Sequence, residues 1–212
     1  MESSRNVENR QEFAKASELS LVFRQALAKY TNRFNSKDLN AKLTKNFYSL
    51  IKKDKINVRG ERTIQPDNLE LLKNLSLTKS ASPQLFIFQN FSVEIEGTTS
   101  IKAVLRFSGE VIPTVHFKKI KAATHISLSV VLLQTDFTQN NGSKISETVK
   151  YFALNDSSDQ SQNIETSEIN AEPGYNAFAL LFISYFQEVN DVKYLLENKN
   201  INSSVISDTK PS

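Results

Sequence analysis

Few residues in this chain are equipped for bond-making chemistry. It holds two histidines, His116 and His125, and no cysteine. A general base needs a positioned partner, and each histidine falls instead beside a strand-like alternation, where an imidazole is usually a surface or packed group. Neither lies in a zinc-type spacing, and without cysteine both disulfides and thiolate metal centres are excluded. No Gly-x-Ser-x-Gly elbow and no phosphate-cradling glycine loop occurs among only 5 glycines. Glu94 and Glu96 share one parity and read as a solvated strand face. Asp156 and Asp159 match no closed calcium loop. The expectation is a protein with no catalytic residue, no cofactor and no metal site.

The basic residues carry the other chemical signal. Residues 1–62 hold 14 Lys/Arg against 7 Asp/Glu, a net +7, while residues 63–212 carry −4. From Arg24 to Arg62 the balance is +8. Such a segment attracts phosphate backbones by counterion release, and the interleaved Tyr30, Phe47 and Tyr48 have faces on which bases can stack. Candidate anion or nucleic-acid contacts are Lys42, Lys45, Lys52, Lys53, Arg59 and Arg62. Phe47 also fits an apolar stripe, and lysine-rich outer helix faces are common. Arg59 and Arg62 flank Gly60 and can clamp a carboxylate or phosphate; the plainer reading has them pin their turn to carboxylates such as Asp54 or Glu70.

The elements that must position these groups follow from periodicity. Residues 1–8 read as a disordered tail. Phe13, Ala16, Ser20, Phe23, Leu27 and Tyr30 recur at helical steps, and Leu39, Leu43, Phe47, Leu50 and Ile51 form a second stripe behind a cap at Ser36. Residues 9–62 are thus a basic helical hairpin, and 63–84 a connector. After Pro83 the period becomes two. Strands are expected from Leu85 to Glu96, Ile101 to Phe107, Val111 to Phe117 (an edge, because of Pro113), Ile126 onward, and Ser146 to Leu154. Residues 155–175 carry five acids and no Lys or Arg, and read as a long exposed loop. Ala177 to Val189 is apolar on both parities, so it is a strand buried on both faces. Asn190-Asp191 suits a two-residue turn, and Val192, Tyr194 and Leu196 form the return strand. A short last strand near Ser203 to Ser207 precedes a loose tail, 208–212.

Leu39-Asn-Ala-Lys-Leu-Thr-Lys45, Ile51-Lys-Lys-Asp54, Asn57-Val-Arg-Gly-Glu-Arg-Thr-Ile64 and Phe186-Gln-Glu-Val-Asn190 together resemble an uncharacterised bacterial protein family of Bacteroidetes-type genomes. The resemblance covers most of the chain from about residue 8. It implies a basic helical segment, an Arg-Gly-x-Arg turn, a run of strands and a late hairpin, and brings no activity, cofactor or site residue. The family usually begins with a glycine-rich hairpin that this chain lacks.

The fold expected is α+β and mainly β: an antiparallel β-sandwich of seven or eight strands over residues 85–207, immunoglobulin-like in size, behind the helical hairpin. One face of the central strand meets the second sheet, and the helices cover the other. The longest wholly apolar run is 7 residues, far short of the roughly 20 of a membrane span. With no signal peptide visible, the cytoplasm is the default compartment. The function expected is a non-enzymatic binding or assembly module, partnered by another protein or by a second copy, the +8 end of one meeting the acidic loop of the next. The alternative is a nucleic-acid-associated protein using the basic helices.

Overall fold

The computed structural model describes residues 4–31, 38–78, 82–108, 117–137, 142–155, 163–197 and 202–211. Helix α1 (Ser4–Ala26) runs into the single turn α2 (Ala28–Thr31), and α3 (Leu39–Lys52) packs back against α1. The strands are β1 (Phe91–Gly97), β2 (Ser100–Phe107), β3 (His125–Thr135), β4 (Ser143–Ala153), β5 (Asn163–Glu165), β6 (Ile169–Asn170), β7 (Asn176–Val189), β8 (Val192–Leu195) and β9 (Ser203–Lys210). All pairings are antiparallel. The smaller sheet places β2 between β1 and the short β5 and β6; the larger runs β4-β3-β7, with β8 and β9 sharing the far side of β7.

The doubly apolar β7 is central, as its composition requires. Ala177, Ala179, Leu181, Ile183 and Tyr185 point into the sandwich, against Ile101, Ala103 and Leu105 of β2 and alongside Ile126, Leu128, Val130 and Leu132 of β3. Phe178, Leu180 and Phe182 point the other way. With Val131, Leu133 and Ile206 they meet Phe23, Leu27, Phe47 and Ile51 of the helices. Phe178 stands edge-on to Phe23, with ring centroids 5.2 Å apart, and Tyr30 stacks on Phe182 at 5.0 Å. The molecule is therefore three layers deep, helices over large sheet over small sheet. The helices gain the partner surface that isolated ones lack. The turn between β7 and β8 holds Asn190 at φ 50° and Asp191 at φ 62°, the left-handed pair that a primed two-residue hairpin needs.

Several expectations are corrected. Residues 4–8 are helical rather than a frayed tail, because Arg59 binds Glu8 and Asn9 and holds that first stretch down. Phe13 is half exposed, against Tyr48, while Glu12 is buried in its place. Pro83 starts a 3-10 turn, Pro83–Leu85, so the first strand begins at Phe91 rather than Leu85. Ser36 and residues 111–116 of the expected third strand lie outside the described residues; Phe117 makes a bridge to Ile87. The position before α3 is taken by Asp38. The stretch read as an open acidic loop contains β5 and β6. Ile164 is fully buried there and anchors β5 to β2, while Ile169 fixes β6. The tail begins later than expected, since β9 runs to Lys210 and buries Thr209. The connector 63–84 packs against the body of the molecule. Its 3-10 helix Pro66–Leu72 buries Leu69 and Leu72, and its end bonds along β9: Asn74 N donates to Ile206 O (2.7 Å), Ile206 N to Leu75 O (3.0 Å) and Leu77 N to Ser204 O (3.0 Å).

Candidate binding pocket at the end of the sandwich

The sequence-predicted anion contacts divide in two. Lys42, Lys45, Lys52 and Lys53 belong to α3 or its C-terminus. Lys45, Lys52 and Lys53 are exposed, and Lys52 sits 4.2 Å over the Tyr48 ring. Lys42 is half-buried, and that burial lowers its pKa. Arg59 and Arg62 are spent inside the chain. Arg59 reaches Asn9 Oδ1 at 2.5 Å and Glu8 at 3.5 Å, and Arg62 lies 3.9 Å from Glu12. The turn is thus pinned to carboxylates, but to those of α1 rather than Asp54 or Glu70. Of the stacking candidates, Tyr30 and Phe47 are core residues and only Tyr48 reaches the surface.

Asp54 organises the rest of that loop. Its carboxylate accepts from Ile56 N (2.8 Å), Asn57 N (3.2 Å), Asn57 Nδ2 (2.7 Å) and Thr63 N (2.9 Å). Burial alone would push the acid up. The bonds from Thr63, Asn57 and Ile56 outweigh it and hold the carboxyl well below the usual range.

His125 is the centre of a small polar cluster on the large sheet. Its Nε2 lies 3.3 Å from Glu188, which Lys193 approaches at 2.8 Å, and its Nδ1 lies 3.0 Å from Thr124 Oγ1. The order hydroxyl, imidazole, carboxylate invites comparison with a nucleophilic triad. However, Thr124 Oγ1 already accepts from Glu188 N at 2.7 Å and lies 3.4 Å from Phe186 O, so it ties β3 to β7. His116, Asp156 and Asp159 lie outside the described residues. Among the described residues no three His, Asp or Glu side chains converge as metal ligands, and no helix is long and apolar enough to cross a membrane.

One concave feature lies at the end of the sandwich where β1 turns into β2. A cavity of about 540 Å³ opens there between the sheets. That is within the roughly 300–1,000 Å³ of small-molecule pockets. Its floor is Ile101, Ala171 and Ala177, and the two alanines leave the space a larger side chain would fill. Its rim is Thr98, Thr99, Glu172, Tyr175 and Lys210. Four separate segments of chain are held together to form it. Gly97, at φ 93°, makes the β1–β2 turn, where a Cβ would fall 1.9 Å from Ser100 O. Ala171 N donates to Thr99 O at 2.9 Å. The buried Gln134 amide at the end of β3 is oriented so that its nitrogen donates to Asn170 O (3.1 Å) and its oxygen accepts from Glu172 N (2.9 Å). Lys144 of β4 forms an ion pair with Glu172, and Lys210 donates to Gly97 O. Glu172 thus has its own cation, whereas the Lys210 ammonium, with three N–H donors, keeps capacity for a ligand at the rim. Other acids of the 155–175 segment are used internally as well: Lys102 binds Glu165 (2.6 Å), and Ser100 Oγ donates to Glu168 (2.8 Å).

No protein-family model, no curated protein and no solved structure matches the chain. The bacterial resemblance therefore rests on its sequence motifs alone.

Proposed function

We propose that this protein is a non-enzymatic binding module whose ligand enters the end pocket of the sandwich. The observation that carries this is the cavity itself, an apolar floor between two sheets with a few polar groups converging at its mouth. The ligand class that fits is a small molecule with an apolar body and an acidic head. Ile101, Ala171 and Ala177 take the body, and the Lys210 ammonium faces the head. In the polar cluster around His125, at the opposite end of β3 from this cavity, the Thr124 hydroxyl is occupied by the Glu188 N–H and the Phe186 carbonyl. Decanoate is a suitable probe. Calorimetry on the intact chain is expected to show one saturable site, with Lys210→Glu weakening it about tenfold, the scale of one charge-assisted contact. Ala171→Trp, which fills the floor, removes the binding. Unchanged affinity in Ala171→Trp would place the ligand elsewhere and end this reading.

A second reading keeps nucleic acid as the partner. Lys45, Lys52 and Lys53 remain exposed on and beside α3, next to Tyr48. With Arg59 and Arg62 engaged by α1, the test narrows to four positions. Replacing Lys42, Lys45, Lys52 and Lys53 with Gln is expected to abolish binding to a single-stranded oligonucleotide and its salt dependence. Retained affinity would dispose of the idea.

A further inference from the structure

The two edges of the large sheet are finished differently. Along β9 the connector supplies a backbone partner, with Asn74, Leu75 and Leu77 bonded to the strand and Ser76 bridged to Val205. At the opposite edge β4 pairs with β3 over all 11 residues, from Ser143 opposite Thr135 to Ala153 opposite His125, without a register shift. Among the described residues no strand pairs with its other side. Natural sheets guard such edges with proline, bulges, short strands or outward lysines. β4 has no Pro, no Gly and no bulge, and its lysines are turned onto its own molecule: Lys144 to Glu172, and Lys150 to the Asn163 carbonyl at 3.3 Å. The face it turns to solvent carries Ile145, Val149 and Tyr151, each more than a third exposed.

We propose that β4 pairs with β4 of a second copy, antiparallel about a two-fold axis through Thr148, so that two five-stranded sheets become one continuous sheet. The charges of the strand select this register. Centred on Thr148, all of Ser143–Ala153 is paired, Ile145 faces Tyr151 of the other copy, Glu147 faces Val149, and Lys150 faces Ser146. Centring on Glu147 or on Lys150 would set like charges directly opposite each other, which is unfavourable. Centring on Val149 leaves Ser143 and Lys144 unpaired. The contact is isologous and closes on itself, so it yields dimers rather than filaments. A single strand edge falls in the small class of interfaces, below roughly 1,200 Å², so the dimer is expected to be concentration-dependent.

The test is size-exclusion chromatography with light scattering at about 100 μM, above the micromolar dissociation constants of weak interfaces. The mass is expected to approach twice the 24.0 kDa chain. The pair Ile145→Lys and Tyr151→Lys, at two exposed positions, gives monomers, as does the matching pair of glutamates. Mixing the two variants restores a heterodimer, which a merely unfolded variant cannot do. Because the chain has no cysteine, Thr148→Cys introduces a single thiol on the axis. Diamide oxidation is expected to crosslink it at least about ten times faster than Ile145→Cys, whose thiols lie about 20 Å apart in this register. A monomeric wild-type chain overturns the proposal, and so does equal crosslinking at the two positions. A β4 edge reserved for a strand of another protein would give the first of these results.

Discussion

Asp54 shows how much one carboxylate can be asked to hold. It receives two backbone donors from the turn just after α3, a third from Thr63, and the Asn57 amide. Asp54→Ala takes the acceptor from those part-buried donors and is expected to cost about 1–3 kcal/mol in denaturant unfolding. The sign of the pH effect follows from its depressed pKa. The folded state binds the proton less readily than the unfolded one, so the stabilisation is complete above about pH 4, the ordinary aspartate range, and is lost as pH falls below it. Asp54→Asn should therefore flatten the acid side of a plot of melting temperature against pH; a variant that loses stability in acid as steeply as wild type would contradict this. The same loop shows what residue types alone concealed. Arg59 and Arg62 announced ion pairs, and pairs are present. Their partners Glu8 and Glu12 are about fifty residues away along the chain and carry no local signature. Nothing around Glu12 in the sequence sets it apart, and its carboxylate accepts from Gly60 N at 2.9 Å and is fully buried.

Elements whose identity is written in their own side chains were legible; those that depend on a distant strand were not. β7 declared itself because both parities are apolar, and the Asn190-Asp191 turn because few other residues tolerate its backbone. β5 and β6 have one buried or half-buried isoleucine each, too little pattern to distinguish from a loop. The segment 74–77 finds its backbone partners on β9, more than a hundred residues later. Two substitutions test the legible parts in opposite directions. Phe178→Ala removes a ring packed between Phe23 and Phe137 and is expected to cost about 3–5 kcal/mol. Asp191→Gly relieves a positive φ and is expected to gain up to about 1 kcal/mol. Chemical denaturation reads both; loss of stability in the glycine variant would mean that the Asp191 side chain matters to the turn more than its backbone strain.

At the scale of the molecule, the layered build was predictable from one strand that needed cover on both sides, whereas the pocket was not. Its walls come from residues near 98, 134, 171–177 and 210, and no local spacing links them. The layers also predict a dissection. A chain lacking residues 1–62 would expose Phe178, Leu180, Phe182 and Ile206 on one broad face, and it is expected to aggregate or bind a hydrophobic dye strongly. A well-behaved monomer of that fragment would show that the helices are an accessory rather than a layer. The helix layer also has a history in time. A ribosome makes α1 and α3 first, yet the surface that shelters their apolar stripes, β7 and Ile206, is made last. A nascent chain that has not passed Ala177 carries two amphipathic helices with nowhere to dock. They must either shelter each other, as the Phe23–Phe47 contact permits, or be held by a chaperone until the final strands emerge.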